Sequence, residues 1–288
     1  MERYRVMRIL VTGGAGFVGT NLVKRLLNEG HKVFSLDNYT TGLESNHISG
    51  CRYIVGDVNS INAIGELIDN TSIDIVFHLA AKARIQPSFD IPEEYIKSNY
   101  QGTYEVVKYC VKRNIPLIYA GSSSHHSGKL SNPYTYSKTM GEEVIQLYQQ
   151  HFGLRASITR FYNVYGPHQL TEGGYTTLIG RWLNNIKNGI QCEIYGDGSK
   201  RRDFTHVDDI VDALVKIVDT ESYGYIFELG REENHSVLDV SKMFNVDPIF
   251  KDNKPGEALI TLADGAEARL VLQWSANINL EEYIKEML

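Results

Sequence analysis

The stretch RILVTGGAGFVG at residues 8–19 decides the fold. Its apolar start predicts a short buried strand, and the apolar residues that follow recur at helical spacing. A glycine-rich turn between a strand and a helix is typical of dinucleotide-binding sites. Gly13 can make the tight turn, Gly16 lets the backbone approach a pyrophosphate, and Gly19 lets the helix lie close to the strand. The start of the helix offers N–H groups and the positive end of its dipole to phosphates.

A carboxylate follows the next predicted strand. Residues 32–36 predict that strand, and Asp37 comes 18 residues after Gly19. A carboxylate there accepts hydrogen bonds from the adenosine ribose hydroxyls and repels a 2′-phosphate. The alternative interpretation of Asp37 is a helix cap or a solvated loop acid. Because the strand–turn–helix–strand context is complete, the sequence favours the ribose contact and predicts NAD, not NADP, as the cofactor.

The composition is that of an ordinary globular protein. The chain has 288 residues, 42% of them hydrophobic and 22% charged, which allows one large domain or two modest ones. A net charge of −6 argues against nucleic acid as the main partner. Cys51, Cys110 and Cys192 form no CxxC pair, so the sequence suggests neither a disulfide framework nor a metal site. We expect a cytoplasmic protein without a signal peptide or membrane span.

Short strand-like runs alternate with helical patterns through the first half of the chain. Further strands are predicted at residues 52–55, 73–79, 117–120 and 156–161, with helices at residues 61–68, 93–113 and 134–151. This alternation predicts an α/β fold with a Rossmann-type, doubly wound parallel sheet. After about residue 166 the pattern loosens, with helices predicted at residues 175–187, 207–218, 236–244 and 280–287 and a short strand at 193–195. We therefore expect an NAD-binding Rossmann domain at residues 1–166 and a smaller C-terminal substrate-binding domain at residues 167–288, whose chain can return to the main sheet.

Tyr134 and Lys138 form a Tyr-x-x-x-Lys pair, and positions i and i+4 share one face of a helix. A free tyrosine has a pKa of about 10, and a nearby lysine ammonium favours the phenolate. Tyr134 could then take a proton from a carbinol while a hydride leaves for NAD⁺, with a serine from residues 122–124 bonded to the same oxygen. The alternative interpretation is a Tyr/Lys pair on the exposed face of a helix. It is disfavoured because this helix follows the fifth strand of a nucleotide-binding fold.

With these motifs in place, the chain resembles the extended short-chain dehydrogenase/reductases, in the group of nucleotide-sugar epimerases and dehydratases. The resemblance covers nearly the whole chain, and the order of its motifs makes it specific. They are TGGAGFVG at 12–19, LDN at 36–38, GDV at 56–58, HLAA at 78–81, NYQGT at 99–103, YTYSK at 134–138, RFYNVYGP at 160–167, GDG at 196–198, RDFTHVDD at 202–209, PGE at 255–257, LAD at 262–264 and LQW at 272–274.

The resemblance implies a role for each matching position. Tyr134 would be the base, Lys138 its partner, and Arg202 would pair with the diphosphate, which its planar fork suits. Besides Tyr134 and Lys138, NAD would contact Gly13, Gly16, Phe17, Val18, Gly19, Asp37, Asn38, Asp57, Val58, Leu79, Ala80, Ala81, Lys82 and Asn99. The nucleotide sugar would contact Arg84, Ser124, His125, Asn163, Thr176, Thr177, Leu178, Tyr195, Arg202, Lys254, Glu257 and Thr261.

The loop between the fifth strand and Tyr134 departs from the family pattern. It is shorter than in relatives and lacks the tyrosine that they place after the serines. Counting forward from the strand puts Ser122 at the catalytic position, and counting back from Gly128 puts Ser123 there, so both remain candidates. His125 and its neighbour could touch the sugar or only shape the loop. Without a third clustered ligand, no metal is expected.

The leading hypothesis is an NAD-dependent nucleotide-sugar 4-epimerase, acting on a UDP-hexose or UDP-N-acetylhexosamine through a transient 4-keto sugar. By resemblance, Thr261 stands where a bulky tyrosine blocks a sugar N-acetyl group, so that group should be tolerated. A 4,6-dehydratase is the first alternative, but no carboxylate follows Ser122 before Glu142. The other is a non-catalytic NAD-binding regulator, which has no need of Tyr134 as a base. The resemblance also implies a homodimer formed by helices 93–113 and 134–151.

Overall fold

The computed structural model describes residues 6–63 and 72–288, and parallel strands form its main sheet. The strands are β1 (Arg8–Thr12), β2 (Lys32–Asp37), β3 (Arg52–Val55), β4 (Ile75–His78), β5 (Leu117–Ser122), β6 (Ala156–Phe161), β7 (Glu193–Tyr195), β8 (Arg201–Asp203), β9 (Ile226–Leu229), β10 (Asn234–Ser236) and β11 (Ile249–Lys251). Within the described residues the sheet has seven strands in the order β3-β2-β1-β4-β5-β6-β9. The predicted doubly wound parallel sheet is confirmed, and apolar clusters cover its two faces.

The helices largely follow the predicted pattern. They are α1 (Phe17–Asn28), α2 (Gln86–Asp90), α3 (Pro92–Tyr95), α4 (Gly102–Arg113), α5 (Pro133–Phe152), α6 (Leu178–Lys187), α7 (Val207–Asp219), α8 (Val237–Met243), α9 (Ala266–Leu272) and α10 (Leu280–Met287). The helix predicted at 93–113 is divided, because a π-helical segment at Ile96–Gln101 separates α3 from α4. The helix predicted at 61–68 begins at residues 61–63, and the remainder lies outside the described residues.

Helix α5 carries Tyr134 and Lys138 in its first turns, and its start is fixed by local chemistry. The Asn132 side chain accepts a hydrogen bond from the Thr135 backbone N–H at 2.8 Å. Pro133 occupies the first helical position, where its missing N–H costs nothing. The helix ends at Phe152 and is followed by Gly153, which adopts φ +70°. The orientation of Tyr134 toward the sheet edge therefore rests on a well-capped helix end.

The chain after residue 166 returns to the main sheet. Strand β9 pairs in parallel with β6, and α7 packs against α1 in one apolar cluster. Two small two-stranded sheets, β10-β8 and β11-β7, lie outside the main sheet. A third cluster, which includes Trp182, Phe244 and Tyr283, packs α6, α8 and α10 together. The later half of the chain thus contributes to the main sheet as well as to this cluster, and a separate C-terminal domain remains a prediction.

A buried ion pair joins α5 to β6. The Arg160 guanidinium donates to the Glu142 carboxylate through Nη2 at 2.8 Å and Nε at 3.2 Å. The Glu142 side chain is 3% exposed, and Arg160 also lies 3.6 Å from Glu228. Removing one member of a buried pair is costly because it leaves an uncompensated charge in a low-dielectric environment.

We expect Arg160→Met to lower the free energy of unfolding by about 3 kcal/mol, because Glu142 would lose its main counterion. Denaturant titration of the variant and the unaltered protein measures this. The control is Lys285→Met, which breaks the exposed Glu281–Lys285 pair and should change stability little. Equal effects of the two substitutions would contradict the importance assigned to the buried pair.

Candidate functional site

A cavity of about 880 Å³ runs along the carboxyl ends of β1, β2, β4 and β5. Because these strands are parallel, the loops that follow them meet at one edge of the sheet. With two exceptions, every residue predicted to bind the cofactor or the substrate lines this cavity. The exceptions are Asn99 and His125. The volume is within the usual range for ligand pockets of about 300–1,000 Å³.

The glycine-rich turn leaves space that a side chain would fill. Gly13 has φ +75°, and a Cβ there would lie 2.8 Å from the Ala80 backbone nitrogen. A Cβ on Gly19 would overlap the Gly13 carbonyl oxygen. Helix α1 then begins without a side-chain cap and without an acid in its first turn. Its first N–H groups are therefore available to a phosphate, and this end of the cavity fits a dinucleotide pyrophosphate.

Asp37 is held at the end of β2 by backbone amides. Its carboxylate accepts hydrogen bonds from the Ala15 N–H at 3.0 Å and the Tyr39 N–H at 2.9 Å, one on each oxygen. Each oxygen keeps a lone pair for a ribose hydroxyl. Nearby, Asn38 donates to Asp57 at 2.8 Å. Burial acts to raise the pKa of Asp57, but hydrogen bonds from Asn59 and Asn38 outweigh it and hold that pKa below its ordinary value.

Asn99 lies behind the cavity wall, not on it. Its side chain accepts from the Lys82 N–H at 2.8 Å and donates to the Lys82 carbonyl at 2.9 Å. It also donates to Ser137 Oγ at 3.0 Å, which ties this loop to α5. Asn99 therefore positions the backbone of the loop after β4, and its place near NAD stays a prediction.

Tyr134 and Ser122 meet at the centre of the cavity. The Tyr134 hydroxyl donates to Ser122 Oγ at 3.1 Å, and the Ser124 N–H donates to the same oxygen at 3.2 Å. Of the two serines that counting left open, Ser122 is the one in contact with Tyr134. Ser123 lines the cavity and also an adjoining pocket of about 100 Å³.

The charges around Tyr134 differ from the sequence prediction. Burial raises the pKa of Tyr134, while its hydrogen bond with Ser122 and the charge of Arg84 act to lower it. Lys138 instead donates from Nζ to the Ala120 carbonyl at 2.5 Å and lies over the Tyr119 ring. Burial lowers the pKa of Lys138 to about 7. The cation whose charge lowers the pKa of Tyr134 is therefore Arg84 and not Lys138.

The two histidines of the short loop contact carboxylates. His125 lies outside the cavity, with Nδ1 3.3 Å from the Glu142 carboxylate. His126 Nε2 lies 2.5 Å from Glu228 Oε1. His125 therefore shapes the loop from outside the cavity, whereas His126 also lines the small pocket beside Ser123, and a contact of His126 with the sugar stays a prediction.

Basic side chains line the half of the cavity beyond Tyr134. Lys200 and Arg202 lie 3.1 Å and 3.5 Å from the Glu257 carboxylate, and the Lys254 ammonium lies 3.4 Å from the centre of the Tyr195 ring. Arg181 and Lys200 were not predicted from the sequence. A helical projection of residues 175–187 would have placed Arg181 beside Thr177. Lys200 belongs with Arg202 to the run KRR, in which the sequence alone does not distinguish a ligand contact from a solvated charge.

Asn163 and Thr261 are joined at the wall of the same half. The Asn163 amide donates to Thr261 Oγ1 at 3.2 Å and to the Asp203 carbonyl at 2.8 Å. Thr261 lines both the main cavity and the adjoining small pocket. The main cavity and the small pocket therefore meet at position 261, where the side chain is short.

Metal-binding clusters and membrane-spanning helices are both absent from residues 6–63 and 72–288. Within these ranges, no three His, Cys, Asp or Glu side chains are grouped so as to hold a metal ion. No helix in the same part of the chain has the length and apolar character that a membrane crossing needs.

Comparison with known proteins places these features in a family. The sequence profile of the NAD dependent epimerase/dehydratase family matches residues 9–230. A putative UDP-glucose 4-epimerase from Methanocaldococcus jannaschii is 29% identical over 97% of this chain and 96% of its own length. The crystal structure of UDP-glucose 4-epimerase from Thermotoga maritima with UDP-glucose superposes with a TM-score of 0.91, at 25% identity and 97% and 96% coverage of the two chains.

A longer relative has a different set of activities. A trifunctional UDP-glucose 4,6-dehydratase/UDP-4-keto-6-deoxy-D-glucose 3,5-epimerase/UDP-4-keto-L-rhamnose-reductase from Arabidopsis thaliana is 28% identical over 99% of this chain. The chain spans about half of that protein, 47% of its length. The matched family is NAD dependent, and the prediction of NAD as cofactor is confirmed.

We expect the protein to bind NAD at least about 10-fold more tightly than NADP, because a 2′-phosphate would meet the Asp37 carboxylate. Fluorescence titration with both dinucleotides measures the ratio. Asp37→Asn should lower this preference for NAD, whereas Asp57→Asn, which removes a nearby carboxylate that the family resemblance places against NAD, should leave the preference unchanged. Equal affinities of the unaltered protein for the two dinucleotides would contradict the assignment.

Proposed function

The chain belongs to the NAD dependent epimerase/dehydratase family, and we propose that it is a nucleotide-sugar 4-epimerase acting on a UDP-hexose or UDP-N-acetylhexosamine. The observation that supports this most strongly is the hydrogen bond between Tyr134 and Ser122 at the centre of the cavity. It pairs a proton-transfer group with a hydroxyl that can hold the same substrate oxygen. Residues predicted for the cofactor and for the sugar nucleotide line the same cavity as this pair.

The proposed reaction begins and ends at the sugar C4 oxygen. Bound NAD supplies first the acceptor and then the donor of a hydride. Tyr134 takes the proton of the C4 hydroxyl while Ser122 holds that oxygen, and the charge of Arg84 favours the phenolate. The 4-keto sugar then turns over in the cavity, and Tyr134 returns the proton after the hydride has added to the opposite face.

The other predicted contacts would hold the two ends of the ligands. Gly13, Gly16 and the start of α1 would hold the cofactor pyrophosphate, and Asp37 its ribose. For the substrate, the fork of Arg202 would pair with the diphosphate. The nucleoside would lie against Thr176, Thr177, Leu178 and Tyr195, and Asn163 would bind the sugar diphosphate. Lys254 and Glu257 would contact phosphate and the ribose or base, and Thr261 would lie beside the sugar.

The surroundings of the short loop favour epimerisation over elimination of water. Elimination requires an acid and a base besides Tyr134. The carboxylates next to this loop are Glu142, Glu143 and Glu228, which are engaged by Arg160, Lys129 and His126 respectively. His125 contacts Glu142 from outside the cavity. The loop therefore presents no unengaged carboxylate to the sugar C5 and C6.

The proposed homodimer and cytoplasmic location stay predictions. The faces of α4 and α5 that the family resemblance assigns to the dimer expose Tyr104, Leu147 and Phe152. A second copy of the chain would cover these apolar side chains in a four-helix interface.

We expect purified protein with UDP-sugars to form the C4 epimer, seen by NMR, at unchanged mass. Tyr134→Phe should keep NAD binding and lower the rate roughly 100-fold or more, since it removes the proton-transfer group. Tyr136→Phe is the matched control, because Tyr136 lies two residues further along α5 and outside the cavity.

The serines give a second comparison within the same assay. Ser122→Ala should slow the reaction, and Ser123→Ala should affect it much less, because only Ser122 contacts Tyr134. A stable keto product lighter by one water would replace the epimerase proposal with a dehydratase. NAD binding without turnover of any sugar nucleotide would support a regulator.

We expect Thr261→Tyr to weaken the binding of UDP-N-acetylhexosamines at least about 10-fold more than the binding of UDP-hexoses, because a bulky side chain would fill the space next to the small pocket. Competition between the two substrate types measures the selectivity. Leu259→Tyr is the control, since Leu259 is largely exposed and does not line the cavity. Unchanged selectivity in Thr261→Tyr would show that position 261 does not gate the sugar.

A further inference from the structure

The side-chain amide of Asn132 joins the start of α5 to a distant segment of the chain. Its oxygen caps the helix by accepting from the Thr135 N–H at 2.8 Å, and its nitrogen donates to the Gly256 carbonyl at 3.0 Å and to Ser131 Oγ at 3.2 Å. The residue is only 4% exposed. Of the side chains that cap helices best, asparagine is the one that also carries an N–H for a second carbonyl. The bond to Gly256 is therefore what asparagine adds at this cap.

The segment at residues 254–257 is held against α2 as well as α5. Gln86 Nε2 donates to the Pro255 carbonyl at 3.0 Å, so two successive carbonyls accept hydrogen bonds from the starts of two helices. Gly256 adopts φ +74°, and a Cβ on it would lie 3.0 Å from the Phe89 ring and 3.4 Å from Asn132 Cβ. A side chain at position 256 would be strained and would push the segment away from both neighbours. Segment 254–257 therefore packs closely between α2 and the start of α5.

The same segment presents two side chains to the cavity. Lys254 and Glu257 lie on either side of the contact with Asn132, and both line the cavity wall. The Glu257 carboxylate also lies within 3.5 Å of two further cations of that wall. Tyr134 comes two residues after Asn132, in the first turn of α5. The hydrogen bond to the Gly256 carbonyl thus connects a ligand-facing segment to the helical turn that carries the proton-transfer group.

We propose that Asn132 is a positioning residue that couples segment 254–257 to Tyr134. This rests on the proposed function, in which Lys254 and Glu257 contact the nucleotide part of the substrate. A bound nucleotide holds the segment, the segment holds the Asn132 amide, and the amide fixes the first turn of α5. Binding energy from the unreactive nucleotide is in this way used to hold Tyr134 in its reactive position. The coupling is reciprocal, so an ordered first turn also strengthens nucleotide binding.

Hydrogen exchange followed by mass spectrometry, with and without UDP, tests the coupling without turnover. In the NAD-saturated unaltered protein, we expect saturating UDP to slow exchange of the amides at residues 134–137 at least about 5-fold. Asn132→Ser keeps an oxygen for the cap but lacks the N–H that reaches Gly256, so UDP should no longer slow exchange there. Asn279→Ser is the matched control, because it makes the same change at the cap of α10, and the effect of UDP on α5 should persist.

The reaction rate separates a positioning role from a purely structural one. Asn132→Ser should lower kcat on the order of 10-fold, as expected for one net hydrogen bond, and change the free energy of unfolding little because the cap is retained. If the nucleotide acts through Asn132, adding Glu257→Gln to Asn132→Ser should lower kcat little further, although Glu257→Gln alone lowers it. Losses of kcat that multiply in the double variant would contradict the coupling.

Gly256→Ala disturbs the same contact from the other side and replaces Asn132→Ser if that variant does not fold. Its Cβ would displace segment 254–257, and UDP should then fail to slow exchange in α5.

The unaltered protein alone can refute the inference. Bound UDP that leaves exchange at residues 134–137 unchanged would overturn it, as would protection that persists in Asn132→Ser, and formation of the C4 epimer would leave the proposed function standing in either case. Failure to bind UDP would overturn the proposed UDP-sugar substrate together with this inference. Protection that depends on Asn132, without formation of an epimer, would uphold the coupling and overturn the epimerase proposal.

Discussion

The parallel pairing of β1 with both β2 and β4 is the constraint on which the site depends. Thr12 lies level with Leu36 on one side and His78 on the other, and His78 lies level with Tyr119 on β5. Each strand therefore reaches the same edge before its loop begins. The glycine turn, Asp37, the loop after β4 and Ser122 are brought to one edge by this register, and contacts such as the Ala15–Asp37 hydrogen bond then fix their details. Local features such as the Asn132 cap then set the orientation of each side chain.

The parts of this arrangement that the sequence predicted are those with a repeating or local signal. The long helices and buried strands have clear periodicity, and glycines followed by Asp37 identify the cofactor end. Strands β7, β8, β10 and β11 have three residues each, too few for a period to show, and of these only β7 was predicted. The π-helical segment has the composition of an ordinary helix, so its position was not predictable from apolar spacing.

Side-chain partners were harder to predict than elements. The choice between Ser122 and Ser123 depends on one hydrogen bond to Tyr134, which sequence counting cannot supply. Lys138 shares a helical face with Tyr134, yet its ammonium is drawn to the Ala120 carbonyl. Burial raises the pKa of Tyr134 and lowers that of Lys138, and the charge of Glu142 acts to raise both. Glu142 lies further along the same helix as Tyr134 and Lys138. Its charge affects the pKa of both groups because all three side chains are partly or fully buried, and the sequence does not show which side chains are buried.

The return of the chain to pair β9 with β6 has a consequence for biosynthesis. While the protein is made from its N-terminus, β6 is complete at Phe161, but its partner strand ends only at Leu229. Until those residues leave the ribosome, one edge of the sheet lacks its partner, and the apolar surface of α1 lacks α7. An unpaired edge and exposed apolar surface favour association with other nascent chains. The nascent chain is therefore prone to aggregation for as long as the ribosome needs to synthesise the segment between β6 and β9. Chaperones that bind extended apolar segments are suited to protect it during this time.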